Sequence, residues 1–422
     1  MDHFAYRDGV LHAEDVPLPV IAEAVGTPVY VYSRATLTRH ARVFREALAG
    51  VERVEIAFAV KSNPNLAVLR VLAKEGYGAD VVSQGEMDRA LAAGMAAETI
   101  VFSGVGKTAI ELAAALDAGI GQFNLESEEE GVELAAIAAA KGLDAVAALR
   151  VNPDVDAGTH AKISTGKADN KFGVAYDQAA GIYGRLAALP GLKMRGLAVH
   201  IGSQITTLDP SRAAFVKMGE LMRAIRAAGH AVTHMDLGGG LGVPYRAGET
   251  LPGPAEYGAM VAEVVRDWGA TIHFEPGRVI TGNSGVLVTR VIRVKPGSSA
   301  PFVVVDAAMN DLVRPAMYDA WHDFAAVAPS GERFIAHIVG PICESSDTFA
   351  MNRAIDRVGA GDLAVFRTAG AYGATMANTY NSRPLVPETM VDGEKWAVVA
   401  DRIEPATILA AERVPAWLEA DA

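Results

Sequence analysis

Between residues 57 and 278 one pattern recurs eight times: a short apolar or β-branched run, a loop, then an alanine-rich stretch of helical character. The runs are AFAVK (57–61), ADVVS (79–83), IVFSG (100–104), QFNLES (122–127), AVAALRVNP (145–153), RGLAVHIG (195–202), HMDLGGG (234–240) and IHFEPGR (272–278). Helices are predicted near 65–75, 84–93, 107–118, 127–141, 177–188, 211–229 and 255–268. The runs are too continuous for half-exposed antiparallel strands and too short for helices, so they read as parallel strands buried on both faces. Eight such units make a (β/α)8 barrel. A doubly wound open sheet is assembled from the same units, but the count reaches eight and no GxGxxG opens the first one. The barrel is therefore the expected fold. A helix over 35–49 precedes the first barrel strand and is placed as a lid on its N-terminal face.

After Arg278 the texture changes. GVLVTRVIRVK (285–295), FVVVDAA (302–308), RFIAHIVGP (333–341), LAVFRTAGAY (363–372) and WAVVADRI (396–403) are strand-like and separated by Pro, Gly and Asp turns. They predict a second, mostly antiparallel β-barrel or β-sandwich domain. TPVYVYS (27–33) is also strand-like and can join it, which gives expected domains of 35–280 for the α/β barrel and 1–34 plus 281–422 for the β domain.

Charge and cysteine content narrow the function. The 38 basic and 50 acidic residues leave a net charge of −12, which disfavours a nucleic-acid surface and suits small-molecule chemistry. The one cysteine, Cys343, forbids an intrachain disulfide and fits a cytoplasmic location. No apolar window approaches a membrane span, and the acidic N-terminus lacks signal-peptide features. HExxH, P-loop and GxSxG patterns are absent and the histidines lack metal-ligand spacing, so no metal is expected.

In a barrel of this kind the chemistry gathers at the C-terminal strand ends. There the sequence sets Lys61, His200, Gly238–Gly240, Glu275 and Arg278. Lys61 follows an apolar run; it either ends a strand in solvent or holds a desolvated amine able to form a Schiff base. The three glycines are either a tight turn or a backbone nest for a phosphate, with Gly202 and Ser203 as further donors. His200 is either a satisfied core histidine or a flat ring to stack on a cofactor. A carboxylate such as Glu275 facing a pyridine nitrogen would keep that nitrogen protonated and make the ring an electron sink. Cys343, in GPICESSD (340–347), is by default a buried structural thiol. The polar loop THAKISTGKADNKFG (159–172) is too long for a simple strand–helix turn and reads as a flap or rim.

Taken together, AFAVKSNPN (57–65), HIGSQ (200–204), DLGGGLGVPY (236–245), EPGR (275–278), DLVRPAMYDAWH (311–322), GPICESSD (340–347) and AGAYGATMANTYNSRP (369–384) resemble the fold-type III pyridoxal-phosphate decarboxylases, the ornithine/diaminopimelate/arginine decarboxylase family. The motifs occur in family order across both domains, and the serine of KSNPN replaces a common alanine.

The resemblance implies pyridoxal 5'-phosphate (PLP) carried on Lys61, with Asp80 beside the lysine and His200 over one ring face. It implies Ser203, Gly239, Gly240, Gly277, Arg278 and Tyr372 around the phosphate, and Glu275 at the ring nitrogen. Catalysis would fall to Lys61, His200 and Cys343, with His200 covering the ring and Cys343 or Lys61, the thiol by preference, returning a proton to Cα. Arg278, Arg314, Tyr318 and Tyr372 would receive a distal carboxylate and Glu344 a distal ammonium. That set favours meso-diaminopimelate, decarboxylated to L-lysine, over ornithine or arginine, which lack a distal carboxylate. Carboxynorspermidine, which has one, is the nearer alternative; a racemase or a non-catalytic PLP carrier fits less well. The family also implies a homodimer whose 340–347 loop reaches into the partner's site.

Overall fold

Eight strands close on themselves in the computed structural model, which describes residues 2–156 and 170–419. They are β1 (Val54–Ala59), β2 (Gly78–Val81), β3 (Ile100–Phe102), β4 (Gln122–Leu125), β5 (Ala145–Asn152), β6 (Leu192–Ala198), β7 (His234–Asp236) and β8 (Thr271–Phe274). Every neighbouring pair is parallel, and β8 returns to β1 through Phe274 opposite Ile56, so no edge remains. This is the (β/α)8 barrel expected from the repeat. A two-residue strand, Val174–Ala175, adds to the flank of β5.

The helices follow from local chemistry. Asn65, Ser83, Thr108 and Ser127 each accept a backbone N–H at the start of the helix after β1, β2, β3 and β4. Such caps satisfy donors that the first helical turn would leave bare. The helix Arg34–Ala47 buries Leu37, Ala41 and Phe44, and Phe44 meets Tyr257 and Phe274 ring to ring. Its last turn, at Arg45 and Glu46, lines a cavity of about 680 Å³ at the N-terminal strand ends.

The strands stop earlier than the apolar runs suggest, because the polar tails turn. Lys61 lies in a 3-10 turn over Val60–Ser62. Gly238 and Gly240 adopt positive φ, which ends β7 two residues earlier at Asp236. Pro276 follows β8 and supplies no ladder donor.

The chain divides into two compact units, Thr36–Gly282 and Met1–Ala35 with Asn283–Ala422. The second unit is mostly antiparallel β-structure. Its longest strand, Gly285–Lys295, pairs antiparallel with Val29–Ser33, Phe302–Val305 and Leu363–Phe366. Arg333–Val339 joins Phe302–Val305 in parallel and Glu388–Asp392 joins Val29–Ser33 in parallel. Its core includes Leu11, Leu18, Ile21, Val29, Val31, Val286, Val288, Val365 and Val391. Among the described residues no helix is long and apolar enough to cross a membrane. The loop predicted over 159–172 lies, up to residue 169, outside the described residues.

Candidate active site

The C-terminal mouth of the barrel opens on a cavity of about 350 Å³ whose walls include Lys61, Ser103, Asn124, Arg150, His200, Asp236 and Glu275. Period-2 alternation brings these side chains inward: Asp80 from β2, Asn124 from β4, Asp236 from β7, with Glu275 one residue past β8.

Lys61 donates to Asp80 Oδ2 at 2.7 Å, and Asp80 is wholly buried. The lysine side chain keeps 37% of its exposure, so it sits paired at the rim rather than sunk in apolar surroundings. Among the described residues Asp80 Oδ1 has no hydrogen-bond partner, leaving acceptor capacity beside the lysine.

His200 accepts the backbone N–H of Gly239 at Nδ1, 3.3 Å away, which puts the ring proton on Nε2. Burial, reinforced by the positive charges of Arg150 and Lys61, lowers its pKa to about 3. A neutral, flat ring results. The Gly239 amide is thereby turned to His200, and the glycine run is demanded by packing: a Cβ on Gly239 would stand 2.2 Å from the Glu275 carbonyl oxygen, and one on Gly240 2.3 Å from that of Gly202.

Glu275 is buried, and burial followed by the negative charges of Asp236 and Asp80 pushes its pKa well up. Burial opposes ionisation of Asp236 as well. There the neighbouring His273, first of all, and then the hydrogen bonds of Glu275 and Asn124 outweigh burial and hold it below the usual carboxylate range.

Arg278 is buried and donates to Tyr245 Oη at 2.6 Å and to Ser203 Oγ at 2.9 Å. Gly277, before the short helix Arg278–Thr281, packs so closely that a Cβ would lie 3.1 Å from Ser62 Cβ.

The remaining predicted residues belong to the β-rich unit. Arg314 and Tyr318 bracket one short helix, and Arg314 Nη1 donates to His322 Nε2 at 2.9 Å. His322 Nδ1 in turn donates to the Arg367 carbonyl at 2.9 Å. Tyr372 sits in a loop at φ 54°. Cys343 is exposed, which corrects the buried structural thiol expected by default. Beside it, Glu344 is exposed and held below the usual carboxylate range by hydrogen bonds from Ser346 and Tyr380. Buried Asp347 pins this loop, accepting Ile342 N–H and Met309 N–H at 2.6 Å each.

Four cavity residues were missed at the sequence level. Ser103, Asn124, Arg150 and Asp236, together with Glu126 beside Arg150, all sit at or near strand ends inside the quoted runs, and their polarity within otherwise apolar strands was the available signal. Glu126 and Arg150 pair at 2.6 Å, and Arg150 also lies over the Phe172 ring at 4.7 Å.

The site fits PLP. It offers a lysine amine, a neutral ring-shaped wall and a protonable carboxyl around a cavity of ligand size, with spare acceptor capacity on Asp80. Comparison with known proteins agrees. Residues 34–282 match the family described as "Pyridoxal-dependent decarboxylase, pyridoxal binding domain". Diaminopimelate decarboxylase of Zymomonas mobilis is 53% identical over 98% of this chain and 99% of its own length. That of Vibrio cholerae is 47% identical over 98% and 99%. The crystal structure of diaminopimelate decarboxylase from M. jannaschii in co-complex with L-lysine superposes with a TM-score of 0.95 at 32% identity, covering 99% of each chain. The chain belongs to the pyridoxal-dependent decarboxylases, in the diaminopimelate decarboxylase family.

Proposed function

We propose that the chain decarboxylates meso-diaminopimelate to L-lysine and carbon dioxide with PLP as cofactor, the last step of lysine synthesis. The placement of Lys61, His200 and Glu275 on the wall of one cavity carries this reading, because it unites an attachment point, a face cover and a proton-holding carboxyl. The full-length relatives named above support the substrate.

PLP bound at Lys61 supplies an electron sink for the bond that breaks at Cα. The chain does the rest. Asp80 holds the Lys61 nitrogen in place, and His200, neutral, covers one face without adding charge. Glu275 holds a proton at the ring nitrogen. Ser203, Gly239, Gly240, Gly277, Arg278 and Tyr372 take the phosphate side. Arg278, Arg314, Tyr318 and Tyr372 receive the distal carboxylate and Glu344 the distal ammonium; charge-assisted contacts of this type select strongly for a substrate carrying both groups. Cys343 donates a proton to Cα after carbon dioxide leaves.

The exposed Cys343 and Glu344 support a homodimer in which the 340–347 loop of one copy serves the site of the other. A single cysteine, with no disulfide to protect, supports a cytoplasmic location.

The test is to supply meso-diaminopimelate, ornithine, arginine and carboxynorspermidine separately to the purified protein with PLP and to measure carbon dioxide and the amine product. Carbon dioxide with L-lysine from the first substrate alone is the expected result. Turnover of carboxynorspermidine in preference to it would overturn the substrate.

A further inference from the structure

A line of buried amides runs through the barrel interior from the N-terminal end to the cavity. Arg195, on β6, also lines the opposite, 680 Å³ cavity, and its Nε donates to Gln122 Oε1 at 2.8 Å. Gln122 Nε2 donates to Asn124 Oδ1 at 2.7 Å. Asn124 Nδ2 then donates to Asp236 Oδ2 at 2.8 Å, to Ser103 Oγ at 3.1 Å and to Glu275 Oε1 at 3.3 Å. Gln122 and Asn124 are 1% and 2% exposed, so water does not compete for these bonds.

The direction of the line is dictated at its far end. A guanidinium only donates, so Gln122 must turn its oxygen to Arg195 and its nitrogen to Asn124. Asn124 must then turn its own nitrogen to the two carboxyls. Were Gln122 reversed, its oxygen would face Asn124 Oδ1, and were Asn124 reversed, its oxygen would face the Asp236 carboxyl, each at a cost typical of a buried unsatisfied group. The two residues share a face of β4 because they lie two apart.

We propose that Arg195, Gln122 and Asn124 form a positioning relay that fixes the Asp236–Glu275 pair in the orientation in which Glu275 presents its carboxyl to the cofactor. The inference rests on the reading of Glu275 as the partner of the ring nitrogen. Neither Arg195 nor Gln122 lines the cofactor cavity, so both act through Asn124 and are positioning rather than catalytic residues. The groups that face Glu275 are Asp236 from β7, Asp80 from β2, Lys61 after β1, Ser103 after β3 and Asn124 from β4. His273 of β8 stands behind Asp236, its Nδ1 3.9 Å from Asp236 Oδ2.

Gln122→Glu reverses the relay: an oxygen now faces Asn124 Oδ1 and drives that amide to turn. Gln122→Met deletes the relay with no added charge and serves if the first variant does not fold. Two readouts are taken. In the cofactor-free protein, the Glu275 carboxyl is titrated by carbon-13 NMR of glutamate-labelled protein, assigned with Glu275→Gln. Equilibrium dialysis then gives the PLP dissociation constant. The expected result is a Glu275 midpoint displaced by about one pH unit and PLP binding weakened about tenfold, the size of one net hydrogen bond. A Glu275 midpoint and PLP affinity both at wild-type values in a folded Gln122 variant would overturn the relay. If Glu275→Gln itself binds PLP with unchanged affinity and an unchanged visible absorption band, the reading of Glu275 fails instead, whatever the Gln122 variants do.

Discussion

At the scale of single residues, His200 shows how a barrel mouth enforces one protonation state. Its folded-state pKa of about 3 lies below its ordinary 6.5. Below about pH 6.5 the unfolded chain takes up a proton that the folded chain refuses, so this residue's contribution to stability shrinks as pH falls from 6.5 towards 3. The imidazole nitrogen-15 shifts should stay those of a neutral, Nε2-protonated ring from pH 8 down to pH 5; a titration step in that interval would contradict the Gly239 contact. Cys343, by contrast, is exposed. Replacing it by Ala should lower kcat by about 10²–10⁴-fold, the range for loss of a positioned proton donor, with PLP affinity unchanged. An unaltered kcat would remove the thiol from the reaction.

At the scale of elements, buried acids reveal which loops are held at a cost. Asp311 is buried beside the Ala308 amide that it accepts, and burial first of all pushes its pKa up to about 7. Because its folded-state value exceeds the unfolded one, stability falls as pH rises from about 4 through 7. Asp311→Asn keeps the acceptor and removes the ionisation, so its Tm relative to wild type should improve between pH 5 and pH 8. Equal pH dependence of the two proteins would refute the assignment. The short helix carrying Arg314 and Tyr318 belongs to the same unit, and Arg314→Ala should lower kcat/KM for meso-diaminopimelate about tenfold to hundredfold, as expected for a lost charged contact.

The eight strands were legible from the sequence because parallel strands buried on both faces leave continuous apolar runs, and Ser83, Thr108 and Ser127 mark the helices that follow. Lys61, His200 and Glu275 were legible as polar groups closing such runs. The Arg195–Gln122–Asn124 line was not. Its members lie on β4 and β6, and their carboxyl partners on and just after β7 and β8, up to about 150 positions away, and only closure of the barrel sets them side by side. The strand Thr348–Asp356 was missed for a different reason: the exposed Met351 and Asn352 and the half-buried Arg353 break its apolar run in the middle, so it reads as loop.

At the scale of the whole molecule, the homodimer proposed above would make activity a property of pairs. Lys61→Ala and Cys343→Ala subunits, each inactive alone, should regain about a quarter of wild-type activity when mixed and allowed to exchange, since half the pairs are mixed and each holds one intact site. No recovery on mixing would place both residues of one site on a single chain.

The β-rich unit also has an order imposed on its assembly. Val29–Ser33 is synthesised long before its partners, Gly285–Lys295 and Glu388–Asp392. Residues 36–282 emerge in between and contain every strand needed to close the barrel. The strand therefore waits unpaired while residues 36–282 are made, gains Gly285–Lys295 along one edge first, and keeps its other edge open to neighbouring nascent chains until Glu388–Asp392 follows.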